Sequence, residues 1–278
     1  MARGPRRRRS PVLVHLLLAV FSAYSLFPLL WALVTSLKRP EDAVAYPPTW
    51  IPEPPTLANY ADVLLRTAVP WQVLNTMVAA GLAAGIVVVA SSLAGYGFAR
   101  FEFRGKQVLL VSLLGCVMVS GATKVVPLYL MLHRAGLLNS LAGLGLVYAV
   151  EFLPISVWLM KSYVETIPVE LDEAAAVDGS GRLRTFVRIV FPLSLPGVVA
   201  VALITFVRSA QEFIYAATFL TEPAVKTSPV GLYMFFTELG VEWGHLTAAS
   251  LVVVLPIVLV FLLLQRWFVS GLTMGAVR

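Results

Sequence analysis

The sequence predicts an all-α membrane protein with six spanning helices and both chain ends in the cytoplasm. Three observations carry that prediction: six apolar runs long enough to cross a bilayer, a shortage of charged residues, and a one-sided distribution of Lys and Arg. Of the 278 residues, 59% are hydrophobic and 13% charged, whereas a soluble domain carries roughly 25% charged residues. Mean hydropathy is +0.84. In lipid a single run satisfies its own backbone only as a helix, and none of these runs alternates as a barrel strand does.

The elements follow in order. The basic head MARGPRRRRS leads into an apolar run over Leu13–Leu37, longer than the ~7–15 residues of a secretory leader, so it reads as an uncleaved first span. A proline-rich segment from Lys38 to Trp71 follows, expected to be extended and stiffened chain. The second run, Thr76–Phe98, holds Gly81, Gly85 and Gly95, which predict close helix packing. The remaining runs are Val108–Leu132, Leu141–Met160, Gly197–Leu220 and Leu246–Val269.

Orientation follows from the basic residues. With the N-terminus inside, Arg3, Arg6–Arg9, Arg100, Arg104, Lys106, Lys161, Arg182, Arg184, Arg188, Arg266 and Arg278 are cytoplasmic. The outer side receives only Lys38, Arg39, Arg66, Arg134 and Lys226, while Lys124 and Arg208 remain inside spans. The net charge of +6 therefore belongs to topology and membrane lipid rather than to nucleic acid. Cys116, the only cysteine, excludes an internal disulfide and a cysteine-based zinc site, and inside an apolar run it reads as packing. His15, His133 and His245 form no metal-ligand spacing. The predicted organisation is a basic cytoplasmic N-terminus at 1–12, a membrane domain at 13–270 and a cytoplasmic tail at 271–278.

One segment departs from the apolar pattern. In ELDEAAAVDGSGRLRTFVRIVFPLSLPG, Glu170 to Gly197, Pro168 suits the first turn of a helix and Gly179 its end. Ser180 is placed to cap a second helix with Leu183, Phe186, Val187 and Val190 on its apolar face and Arg184 and Arg188 opposite, closed by Pro192. The charge distribution puts this helix, hinge and helix on the cytoplasmic side. Physical reasoning alone leaves two alternatives: a solvated interfacial loop, or a docking surface whose small residues admit another protein's backbone.

The same residues carry a resemblance. EAAAVDGSGRLRTFVRIVFPLSLPG is similar to the EAA loop of binding-protein-dependent ABC importer permeases, with Glu173, Ala174, Ala175, Asp178, Gly179, Phe186, Ile189, Pro192, Leu193 and Pro196 in register. Ser180 stands where the family usually has alanine. GYGFARFEFRGK, VPLYLMLHRAGLLNS, VGLYMF and LQRWFVSGLTMGAVR resemble its carbohydrate branch, specifically the maltose-type second permease. The resemblance covers the chain from the first span onward. It departs at SAQEF (Ser209–Phe213), where the family commonly has WNEF.

The resemblance implies a type I ABC importer permease fold and a coupling loop at 168–196 that docks on cytoplasmic ATPase subunits. Glu173, Ala174, Ala175, Asp178, Gly179, Phe186 and Pro192 would carry the coupling. It further implies two ATPase subunits, a second permease completing a heterodimer, and an extracytoplasmic solute-binding protein, in a bacterial or archaeal cytoplasmic membrane. The chain would bind no cofactor, with ATP and magnesium held by the ATPases; GSGRLR lacks the lysine and spacing of a phosphate loop.

Charges in the spans are the candidates for a solute path. A charge near the bilayer centre costs about 2.5–3.5 kcal/mol on the insertion scale and so faces protein or water. Glu151 lies in the fourth run; Arg208, Gln211 and Glu212 share one face of the fifth. Either Arg208 and Glu212 neutralise each other along the helix, or these residues and Tyr215 line the translocation path. Tyr148, Phe213 and Tyr215 are the aromatic candidates for stacking on a sugar, and Lys124 is expected to snorkel outward. The implied cargo is a neutral sugar, with a glycerol-phosphate-type ester as the alternative that Arg208 would favour. An intramembrane enzyme is the rival from another class, and no nucleophile, base or metal constellation supports it.

Overall fold

The long apolar runs fold as helices, but two of them are broken. The computed structural model describes residues 11–237 and 240–274; the expected head at 1–12 and tail at 271–278 lie largely outside the described residues. The helices are α1 (Pro11–Ser36), α2 (Pro40–Ala43), α3 (Ala58–Arg66), α4 (Val69–Arg100), α5 (Lys106–Met118), α6 (Gly121–Arg134), α7 (Leu141–Val164) and α8 (Glu170–Val177). They continue as α9 (Arg182–Leu193), α10 (Leu195–Ala210), α11 (Ile214–Phe219), α12 (Ser228–Leu232) and α13 (Trp243–Met274). Before α13, β1 (Phe236–Thr237) and β2 (Gly240–Val241) pair antiparallel.

Among the described residues four single helices are long and apolar enough to cross a membrane: Val12–Ser36, Val69–Arg100, Leu141–Val164 and Trp243–Arg266. Two bent pairs bring the number to as many as six: α5 with α6 at 101°, and α9 with α10 at 76°. The run expected over Val108–Leu132 is thus interrupted at Val119 and Ser120, where a Ser120–Gly121 pair supplies the local freedom that sharp kinks use. The run expected over Gly197–Leu220 stops at Ala210 and restarts at Ile214.

The chain divides into two compact units, Met1–Thr67 with Met234–Val252, and Ala68–Tyr233 with Val253–Arg278. In the first, the proline-rich segment is not simply extended, because α3 folds back onto the end of α1. Asn59, 3% exposed, donates through Nδ2 to the carbonyls of Ser36 and Lys38, each at 2.8 Å, satisfying the acceptors that a helix end leaves open. Lys38 is itself buried, with Nζ on the Thr49 carbonyl and 4.7 Å from the Trp31 ring centre.

In the second unit α4 packs along α7. Gly95 makes this possible: a Cβ there would lie 2.7 Å from Met160 Cβ and 2.8 Å from Lys161 N. Gly81 and Gly85 face open space, so only one of the three glycines expected at a close contact is at one. The core falls into layers: Leu144, Val147, Tyr148, Ala216 and Phe219; then Val87, Ala149, Met160, Val198 and Val201; then Tyr96, Val164, Ile167, Phe186 and Val190. Cys116 is exposed on α5 rather than packed.

Candidate functional site

The segment after α7 is built as the local sequence predicts, with three differences: Pro168 lies before α8 rather than in its first turn, Ser180 caps nothing, and a π turn interrupts α9. Ser180 N–H donates to the Ala175 carbonyl at 2.9 Å and Gly179 N–H to Ala176 at 3.0 Å, a Schellman ending in which Gly179 takes φ +76°. Gly181, not Ser180, is the N-cap of α9, and Ser180 makes no side-chain cap. Residues Phe186–Val190 form a π turn, with Phe191 N–H donating to the Phe186 carbonyl. The wider turn accommodates Pro192, which has no N–H to give and would crowd the carbonyl four residues back.

That extra residue per turn changes the predicted face of α9. Phe186 and Val190 are buried together with Thr185, whereas Leu183 and Val187 are 69% and 55% exposed. On α8 only Ala175 is buried, against its own chain; Glu173, Ala174, Asp178 and Gly179 all face outward, as does Pro192 at the end of α9. The conspicuous acids, alanine and glycine therefore form one exposed surface around the hinge.

What holds that surface in place was not among the expected residues. Asp172, in the first turn of α8, accepts from Arg100 Nε at 2.9 Å and from the Tyr96 hydroxyl at 3.0 Å. Arg100 Nη2 also donates to the Ile167 carbonyl at 2.7 Å. Tyr96 and Arg100 are one turn apart at the end of α4, so both reach the same carboxylate. Rings complete the joint: Tyr96 lies 5.1 Å from Phe186 and 5.7 Å from Phe101, and the Arg182 guanidinium sits 4.6 Å from the Phe101 ring centre. No local sequence signal pairs these residues with Asp172, since Tyr96 and Arg100 lie 76 and 72 residues before it.

A second polar cluster lies deeper in the bundle. Lys124 on α6 pairs with Glu151 on α7 at 2.5 Å, so it does not snorkel. The Tyr215 hydroxyl lies 3.1 Å from Glu151 Oε2 and 3.2 Å from the Gly121 carbonyl, with its single hydrogen to donate. Glu212 accepts from the Tyr148 hydroxyl at 3.1 Å and from the backbone N–H groups of Tyr215 and Ala216. By taking those amides it starts α11 itself, which explains why the preceding helix stops at Ala210.

Thus Glu151, Glu212 and Tyr215 converge, with Lys124 and Tyr148 as partners that sequence reasoning treated separately. Arg208 and Gln211 do not join them. Arg208 is exposed and, among the described residues, makes no ion pair with Glu212, because the helix that would align them has ended. Tyr148 and Tyr215 are 1% and 3% exposed. Their faces are covered, Tyr215 by Phe219 at 5.7 Å, so neither presents a ring for stacking. Phe213 is exposed.

Long apolar helices, broken spans stitched by buried polar side chains and an exposed polar hairpin define a multi-pass membrane component. The chain belongs to the family of binding-protein-dependent transport system inner membrane components, whose pattern it matches over residues 4–274. It is 34% identical over 282 residues to the trehalose/maltose transport system permease protein MalG of Thermococcus litoralis, covering 97% of this chain and 99% of that one. It is 33% identical over 253 residues to the sulfoquinovosyl glycerol transport system permease protein SmoH of Agrobacterium fabrum, covering 91% and 89%. Its fold matches the crystal structure of a bacterial ABC transporter involved in the import of the acidic polysaccharide alginate, with a TM-score of 0.81 at 18% identity over 95% of this chain and 99% of that one. The chain is a transport permease of the inner membrane rather than an enzyme.

Proposed function

We propose that this chain is one permease half of an ATP-driven importer of a sugar-bearing solute. It would span the membrane six times, with α5 and α6 together forming the third crossing and α10 and α11 the fifth, with both ends in the cytoplasm and the membrane domain covering 13–270. A second permease would complete the pathway, two ATPase subunits would hold ATP and magnesium, and an extracytoplasmic binding protein would deliver the solute.

The observation that supports this reading is the exposure of Glu173, Ala174, Asp178 and Gly179 around a hinge whose first turn is anchored by Arg100. A surface free to touch a partner, yet tied to the end of a spanning helix, is what transmitting motion from an ATPase requires. The names of the relatives support a carbohydrate moiety in the cargo.

The test is a single cysteine at position 174 in a Cys116→Ala background, within the assembled transporter. Cross-linking to the ATPase that changes with nucleotide is expected, along with loss of solute uptake in Glu173→Lys. No cross-link, together with full uptake in Glu173→Lys, would overturn the coupling role.

An acidic cargo, a glycerol-phosphate-type ester included, is a second reading favoured by Arg208. The two carboxylates that would repel such a cargo are occupied internally, Glu151 by Lys124 and Glu212 by Tyr148 and backbone amides, while the Arg208 side chain is exposed. Competition between neutral and acidic sugars for uptake, compared in the native chain and in Arg208→Gln, separates the two.

A further inference from the structure

We propose that the cavity between the start of α5 and the last turns of α7 binds the phosphate headgroup of an anionic phospholipid. The cavity measures about 550 Å³ and is lined by Lys106, Lys161, Trp158, Leu110, Val108 and Glu102, among others. This inference rests on the membrane location of the chain and not on the transport cycle, so it stands or falls separately from the proposed coupling.

The cationic side of the cavity is available. Lys106 Nζ lies 2.7 Å from Glu102 and Lys161 Nζ 2.6 Å from Glu165, each pair four residues apart. The carboxylate partners are exposed, Glu102 at 89% and Glu165 at 46%, while the lysine side chains are only 18% and 15% exposed. Solvent reaches the carboxylate side of each pair and screens it, and an ammonium has three donors, so a phosphate oxygen adds to each lysine without displacing its carboxylate. Glu102 opposes an anion from the rim, and its exposure lets it turn to solvent.

The floor fits a lipid rather than a free anion. Trp158 donates Nε1 to the Leu110 carbonyl at 3.1 Å and lies under Lys161, whose Nζ is 5.8 Å from the ring centre. An aromatic with its polar atom engaged beneath a cation is the arrangement proteins place at headgroup depth. Directly along α5 from Lys106, the side chains of Val108, Leu109, Val111 and Leu114 are exposed, and Leu110 is the one buried residue of that helix. The cavity therefore continues into an uncovered apolar strip that an acyl chain can follow. Basic pockets between spanning helices recognise acidic headgroups in this way.

The experiment is native mass spectrometry of the full-length chain purified from vesicles of phosphatidylglycerol and phosphatidylcholine in equal parts. The native protein is expected to retain phosphatidylglycerol selectively. In Lys106→Ala/Lys161→Ala retention should fall about thirtyfold, near fivefold for each lysine at a membrane surface. Lys106→Arg/Lys161→Arg should retain it, which separates lost charge from a folding defect. Arg184→Ala/Arg188→Ala removes the same charge outside the cavity and should leave retention unchanged. Equal retention by the Lys106→Ala/Lys161→Ala protein, or an equal loss in Arg184→Ala/Arg188→Ala, would overturn the site. Binding of added glycerol 3-phosphate or inorganic phosphate in the same spectra, displacing phosphatidylglycerol at equal concentration, would overturn the lipid as its source.

Discussion

Arg100 and Asp172 are 72 residues apart in the chain and form an ion pair at 2.9 Å, with side chains only 9% and 16% exposed. The pair joins the end of a spanning helix to the first turn of the exposed hairpin. Tyr96 supplies a second bond to the same carboxylate and Ile167 a second acceptor for the same guanidinium. A planar guanidinium serves both acceptors at once, which lysine's ammonium would do without the fixed angle between them.

Arg100→Gln should therefore loosen α8 without unfolding the bundle. A hydrogen bond to a charged partner contributes about 1.5–3 kcal/mol, so amide exchange over residues 170–178 should rise about tenfold or more. Hydrogen exchange of the full-length protein measures this. Unchanged exchange in α8 would mean that the ring cluster around Phe186 alone holds the hairpin.

Gly179 sits at φ +76° with no neighbour crowding it, so only backbone conformation limits what replaces it. Gly179→Asn should be tolerated, whereas Gly179→Val should cost about 1–2 kcal/mol at the turn and abolish stimulation of ATP hydrolysis by the loaded binding protein. Equal stimulation in both variants would remove the hinge from the mechanism.

The Lys124–Glu151 pair predicts non-additive mutations. With each side chain a quarter exposed, Lys124→Met or Glu151→Gln alone should destabilise by about 1–3 kcal/mol, less than a fully buried pair would. The double variant should lose less than the sum of the two. Thermal unfolding in detergent supplies the cycle, and strict additivity would show that the two charges are solvated independently.

Gly95→Ala would push a Cβ to within 3 Å of the α7 backbone and should destabilise by about 1–3 kcal/mol. Gly85→Ala on the same helix meets nothing and should leave the midpoint unchanged or raised. Both are read by the same melting assay, and a similar response from the two would contradict the packing of α4 on α7.

Much of the helical layout was legible because lipid forces it: an uninterrupted apolar run has no other way to satisfy its backbone. The breaks were hidden for the same reason. Val119, Ser120 and Gly121 continue the apolar or small character of their run, and nothing local distinguishes a kink from a packing contact. Arg208 and Glu212 carried helical spacing, but Glu212 ends the helix on which that spacing depends by capturing the amides of Tyr215 and Ala216. In the hairpin, Pro192 was a visible signal for irregular backbone; the π turn it accompanies moved Leu183 and Val187 outward. Asp172 and Arg100 lay beyond reach of any local rule, since only the third dimension brings them together.

Tyr215 has a further consequence. Its hydroxyl reaches Gly121, beside the bend between α5 and α6, while its amide is held by Glu212 at the gap between α10 and α11. One residue is thus the keystone of both discontinuities. Straightening either rod drags on the other, and a lineage that mended one interruption would have to remodel both.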